Sequence, residues 1–169
     1  MIRKALIILI IALFSFPALA TSTLKIGSPP PTFTLLNLKG ETVSLDPDLG
    51  NNVIILSFFA SWSKSCQQEI FFLNDLNQKY KNRKIEIFGI SFDRKLEELK
   101  SFVNENHVQF EILPDRKLKT LKDYRILIIP TLFVIDQEGD IRSIYIDFDE
   151  NVEEALAQEI QKLLEPKKK

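Results

Sequence analysis

Leu56-Ser57-Phe58-Phe59-Ala60-Ser61-Trp62-Ser63-Lys64-Ser65-Cys66-Gln67-Gln68-Glu69 joins an apolar run to the only cysteine of the chain. The run begins at Val53, and six of its seven residues to Phe59 are apolar. A strand buried on both faces has this composition. A polar turn follows, in which Ser63 or Ser61 is suited to cap a helix, because a hydroxyl accepts from the N–H groups that a first turn leaves unpaired. Ile70, Leu73, Leu76 and Tyr80 then recur at helical spacing, and Phe71 and Phe72 thicken that apolar face. Basic residues from Lys81 to Lys84 suit the negative pole of the helix. The layout is a strand delivering a thiol to the positive end of a helix, where the local field lowers a thiol pKa.

Upstream, Pro29-Pro30-Pro31 cannot be helical and marks an extended lead-in. Thr32–Leu38 and Glu41–Leu45, joined by Lys39-Gly40, predict a hairpin. Pro47, Gly50, Asn51 and Asn52 predict a loop. Downstream, Ile85–Ser91 reads as a strand, and Asp93 as the cap of a helix from Arg94 to Asn106. Val108–Leu113 is a short strand, and Asp115 is placed to cap a short helix through Tyr124. Thr131–Ile135 and Ile141–Ile146 form a closing hairpin, and Asp149 or Asn151 starts a last helix. Strands alternating with helices imply parallel pairing through right-handed crossovers. The expected fold class is α/β, with a mixed central sheet and helices on both faces.

The N-terminus has a separate character. Arg3 and Lys4 precede an apolar run from Ala5 to Phe16, and Pro17-Ala18-Leu19-Ala20 supplies small residues before a cut at Thr21. This is the form of a secretory signal peptide. The run is shorter than the roughly 20 residues of a spanning helix, so membrane contact is expected only if the segment stays uncleaved. Cleavage after Ala20 would remove Arg3 and Lys4 from the 22 basic side chains, leaving 20 against 23 acidic ones and a net charge of −3. That balance argues against a nucleic-acid partner, which selects a basic surface. Residues 166–169 form a basic tail ending in Lys167-Lys168-Lys169. Export implies an oxidising compartment, the periplasm, where a single cysteine has no internal partner. One His and one Cys far apart do not make a metal site, and no cofactor is expected.

Phe58-Phe59-Ala60-Ser61-Trp62-Ser63-Lys64-Ser65-Cys66-Gln67-Gln68-Glu69 resembles the active-site signature of the redoxin branch of the thioredoxin superfamily, and specifically of TlpA/ResA-type exported thiol–disulfide oxidoreductases. Ile129-Pro130-Thr131-Leu132-Phe133-Val134-Ile135-Asp136 resembles the second signature of that family, whose proline is cis. Gly27, Pro30, Phe33, Leu35, Gly40, Val43, Leu45 and Gly50 fit its N-terminal hairpin, and the segment from Asp93 to Leu113 its central insertion. With the signal peptide over 1–20 and the lead-in over 21–31 read from the residues, the resemblance implies a thioredoxin-like domain over 32–165.

It also implies a site. In the family the first cysteine of Cys-x-x-Cys attacks a substrate disulfide and the second resolves the mixed disulfide. Ser63 stands at the first position and Cys66 at the second. A hydroxyl cannot form a disulfide, so two-cysteine cycling within one chain is excluded. The polar or acidic residue that assists proton transfer in relatives is expected near Ser57, where a serine weakens that help. A groove for an exported protein or peptide is expected from Trp62, Lys64, Ile129, Pro130 and Thr131. Two other readings stay open. Ser63-x-x-Cys66 has the spacing of a single-cysteine peroxiredoxin, although Phe59 and Pro130 stand where its proline and arginine are expected. Cys66 is alternatively a site of mixed-disulfide exchange. His107, near a helix end, is read as a capping or surface residue.

Overall fold

The computed structural model describes residues 24–45 and 52–165. The proposed signal peptide, the start of the lead-in, most of the loop at Pro47–Asn52 and the basic tail lie outside the described residues.

Two strands, β1 (Phe33–Leu36) and β2 (Thr42–Leu45), form an antiparallel hairpin. The chain then runs through β3 (Val53–Phe59), α1 (Lys64–Lys79), β4 (Ile85–Ser91), α2 (Leu96–Glu105), β5 (Glu111–Pro114) and α3 (Lys119–Asp123). It closes with β6 (Thr131–Ile135), β7 (Ile141–Ile146) and α4 (Glu150–Leu164). The main sheet has the order β5-β4-β3-β6-β7. β3 pairs parallel to β4 and antiparallel to β6, which makes the sheet mixed.

The central position of β3 explains its composition. Both of its edges are paired and both of its faces are covered, so all seven residues are buried. Ile54, Leu56 and Phe58 point to one face, where they meet Phe33 and Leu45 of the hairpin and Tyr124 and Ile126 after α3. Val53 and Ile55 point to the other, against Leu73 and Leu76 of α1 and Leu156 and Ile160 of α4. Phe59, also on that second face, packs with Cys66 and Ile70 of α1 and with Leu99 and Phe102 of α2. The Tyr124 ring lies against Phe58 at 4.9 Å and Phe133 at 5.1 Å, and its hydroxyl donates to the Pro31 carbonyl at 2.7 Å, fastening the lead-in to the core.

Several boundaries differ from expectation, each for a reason visible in the hydrogen bonds. The hairpin strands are shorter than 32–38 and 41–45, because the Asn37 side chain accepts from the Lys39 and Glu41 N–H groups and turns the chain early. Asp93 does not cap α2, which begins at Leu96 behind Lys95 with no side-chain cap. β5 starts at Glu111 rather than Val108, because the Val108 N–H donates to the Val103 carbonyl and the Gln109 N–H to Asn74 of α1. Asp115 does cap α3, accepting from the Lys119 and Leu121 N–H groups, although the chain enters that helix through Leu118 at φ +54°. Phe72 thickens the apolar face of α1 as expected, packing on the Leu73–Leu76 cluster with its ring tilted against Phe148 at 5.7 Å, whereas Phe71 is exposed.

Gly89 of β4 lies between side chains of the two flanking strands, β5 and β3. A Cβ there would lie 2.6 Å from Ile112 Cδ1 and 3.1 Å from the Phe59 ring. Gly89→Ala should therefore overpack this layer and lower unfolding stability by about 1–3 kcal/mol, read as a reduced urea midpoint with an unchanged slope.

Candidate functional site at the start of helix α1

Ser63 is the N-cap of α1, with extended backbone at φ −87° and ψ 124°. Its hydroxyl accepts from the Cys66 N–H at 3.4 Å, which satisfies one of the donors orphaned by the first turn. The turn before it is held from behind. The Asp93 carboxylate accepts from the Ser61 N–H at 2.9 Å, the Ser61 hydroxyl at 2.6 Å and the Ser91 hydroxyl at 2.7 Å. This is why Asp93 is unavailable to α2: a buried carboxylate gains more from three donors in the site than from an exposed helix end. Gln67 Nε2 closes the other side by donating to the Ser61 carbonyl at 2.7 Å.

Cys66 faces inward with 0% of its surface exposed, among Phe59, Ile70 and the half-buried Ile129. Burial pushes its thiol above the ordinary value; the hydrogen bonds to Ser63 and the Ala60 backbone oppose this less strongly, and Glu69 and Asp93 push it further up. The helix terminus thus does not produce a stabilised thiolate here.

One turn further along α1, Glu69 occupies the inward stripe with Cys66, Ile70, Leu73 and Leu76. It is fully buried, and the Ser57 hydroxyl of β3 donates to its carboxyl. Desolvation raises its pKa to about 8, with the Ser57 bond acting in the opposite direction. The expectation of weakened acid–base help at Ser57 is therefore corrected: Ser57 carries a buried carboxyl group supplied by the facing helix. Spacing places Glu69, three residues after Cys66, on the inward face of α1, but its pairing with Ser57 depends on a contact twelve residues away in sequence.

The second half of the site is the Ile129–Pro130 turn, whose peptide bond is cis. It is clamped to α1 through one residue. Asp147, at φ +67°, donates its N–H to the Pro130 carbonyl at 2.8 Å, and its carboxylate accepts from the Ser65 hydroxyl at 2.8 Å. Pro130 and Thr131 are buried, and the Thr131 hydroxyl donates to the Ile128 carbonyl at 2.7 Å. Trp62 is 72% exposed and Lys64 is exposed. The open apolar surface beside the proline comes from Leu127, 95% exposed, and Ile128, neither of which the sequence reading singled out. His107 is an exposed residue at the end of α2, with φ +50°.

The family model described as the AhpC/TSA family matches residues 26–144. Thiol-disulfide oxidoreductase ResA of Bacillus thuringiensis is 31% identical over 118 residues, covering 70% of this chain and 68% of that protein. The chain belongs to the AhpC/TSA family, on the ResA branch of the thioredoxin superfamily. Thioredoxin-like protein YneN of Bacillus subtilis is 30% identical over 123 residues, covering 71% of each chain. Among solved structures, a protein from Chlorobium tepidum described as a candidate thiol:disulfide interchange protein DsbE superposes with a TM-score of 0.78 at 29% identity, over 85% of this chain and 100% of that one. The AhpC/TSA match starts before the hairpin and ends within β7, so it spans the elements that build the site but stops short of Asp147.

Proposed function

We propose that this ResA-type protein works in the exported compartment by holding a polypeptide partner over the Trp62–Pro130 surface, without two-cysteine turnover. The reading rests chiefly on one contrast: the Cys66 sulfur is closed off from solvent, while Trp62 beside it is open. Ser63 takes the place of the family's attacking cysteine and acts as a helix cap. Cys66 takes the resolving place and packs as a small apolar residue. The groove is formed by Trp62, Lys64, Ile129, Pro130 and Thr131, widened by Leu127 and Ile128. The Ile129 N–H and C=O make no hydrogen bond among the described residues, which leaves them free for an extended chain. Residues 1–20 direct export and are removed after Ala20, and the mature protein is periplasmic.

Burial and the raised thiol pKa count against the peroxidase and mixed-disulfide alternatives, because both need an accessible thiolate. The test is fluorescence anisotropy with a labelled, permanently unfolded polypeptide whose cysteines are blocked. Binding should be saturable, Trp62→Ala should weaken it by about tenfold or more, and Cys66→Ala should leave it unchanged. Retention only of thiol-bearing polypeptides, lost in Cys66→Ala, would sink the holding role in favour of mixed-disulfide exchange.

A further inference from the structure

Away from the Cys66–Pro130 site, two surfaces of opposite charge combine exposed apolar side chains with unpaired ions. The first is a groove between the N-terminal hairpin and the β5–α3 connection. Leu36, Leu38, Leu96 and Pro114 line it, and Leu36 is 57% exposed. Arg116, Lys117 and Lys119 also line it, with the exposed Leu118 between them in sequence. Lys119 pairs with Asp123, whereas Arg116 and Lys117 form no ion pair among the described residues.

The second surface lies between α1 and the start of α4. Phe71, Phe72 and Phe148 line it, and Phe71 is 45% exposed. Asp75, Asp149, Glu150 and Glu153 line it as well. Asp149 caps α4, and Glu150 and Glu153 complement the positive pole of that helix. Those local roles account neither for Asp75, which belongs to a different helix, nor for a phenylalanine left in water beside four carboxylates. Asp75, Glu150 and Glu153 form no ion pair among the described residues.

The two surfaces share no lining residue: the leucine groove lies at the hairpin, the start of α2 and the β5–α3 connection, with the buried Asp115 turned to the α3 N–H groups, and the phenylalanine surface lies at α1 and α4. α1 and α4 cover the face of Val53 and Ile55, whereas the hairpin covers the face of Ile54 and Leu56. A molecule carrying both therefore offers each surface to a neighbour rather than to itself. The apolar N-terminal run is a poor occupant of the leucine groove, because Arg3 and Lys4 at its head have the same sign as Arg116 and Lys117.

We propose that copies of this protein associate head to tail, the leucine groove flanked by Arg116 and Lys117 receiving the phenylalanine and carboxylate surface of α1 and α4 from a second copy. Such a contact is heterologous, so it builds a ring or an open row rather than an isologous dimer. Apolar contact between the leucines and Phe71 supplies attraction, and the opposed charges set orientation and exclude the like-to-like arrangements.

The test is sedimentation velocity on protein expressed from the full sequence and purified from the compartment where it accumulates. Species larger than the monomer should grow with concentration and shrink as salt rises from about 50 mM to about 500 mM. Arg116→Glu/Lys117→Glu and Glu150→Lys/Glu153→Lys should each sediment as monomers. All four positions are exposed, so circular dichroism should show an unchanged fold in both. An equimolar mixture of the two variants should regain association, because each then meets an opposite surface. A wild type that stays monomeric up to about 1 mM would overturn the proposal. So would association that survives either double reversal, or a mixture that stays monomeric.

Discussion

Glu69→Gln should make this protein more stable at neutral pH and less sensitive to alkali. The carboxyl group titrates near 8 in the folded protein and near 4.5 when unfolded. Between those values the native state holds a proton that the unfolded state has released, so stability falls as pH rises through the window. Below about pH 4.5 both states are protonated and the penalty vanishes; above about pH 8 it is complete. At pH 7 the penalty is on the order of 3 kcal/mol. Glutamine keeps an acceptor for the Ser57 hydroxyl and has nothing to ionise, but it buries an amide N–H₂ group at a cost of about 1–2 kcal/mol. The net expectation is a gain of about 1–2 kcal/mol at pH 7, turning into a loss below pH 5. Urea unfolding followed by circular dichroism at pH 5, 7 and 9 measures both proteins. Wild type should weaken steadily across the series and the variant should be nearly flat over the same range. Parallel curves would mean that Glu69 is ionised in the native state and the site is wetter than its burial indicates.

Ser63→Cys should confer two-cysteine disulfide reductase activity on this protein. The new thiol would sit at the N-cap of α1, next to the backbone donors that Ser63 now faces, where a thiolate is favoured. Cys66 would stand three residues on as its resolving partner. Attack on a substrate disulfide would form a mixed disulfide with the new thiolate, and Cys66 would displace the reduced substrate thiol. Turnover of a protein disulfide with excess dithiothreitol should rise at least about tenfold over wild type, equivalent to about 1.4 kcal/mol of barrier. Cys66→Ala in the same background should stop turnover at the mixed disulfide. Loss of the serine cap should cost about 1 kcal/mol in the reduced form. A Ser63→Cys protein that forms the internal disulfide but reduces nothing would show that the surface around Pro130 no longer admits a disulfide-bearing chain.

The large elements were legible in the sequence because each carries its own periodicity. The apolar run at Val53–Phe59 is a strand over those bounds, and the stripe Ile70, Leu73 and Leu76 is the buried face of α1. Ser63 was readable as a cap from local chemistry alone. What escaped was decided by contacts distant in sequence. Asp93 looks like a helix cap until Ser61 and Ser91 are brought beside it. Glu69 looks like a surface residue of a helix because an acid is rarely buried, and only the Ser57 hydroxyl opposite explains its position. Leu127 and Ile128 carry no local signal of exposure, yet they stay in solvent ahead of β6, which begins at Thr131.

Trp62 is the only tryptophan in the chain, and its ring is mostly in water in the folded state. Unfolding would carry the indole from water to water, so its emission maximum should barely move in a thermal melt. An apolar chain laid over the Trp62–Pro130 surface would instead withdraw the indole from solvent and shift its emission to the blue. The position of one side chain therefore divides two signals that usually arrive mixed. Indole emission in this protein is a gauge of occupancy, and loss of the fold has to be followed through the backbone.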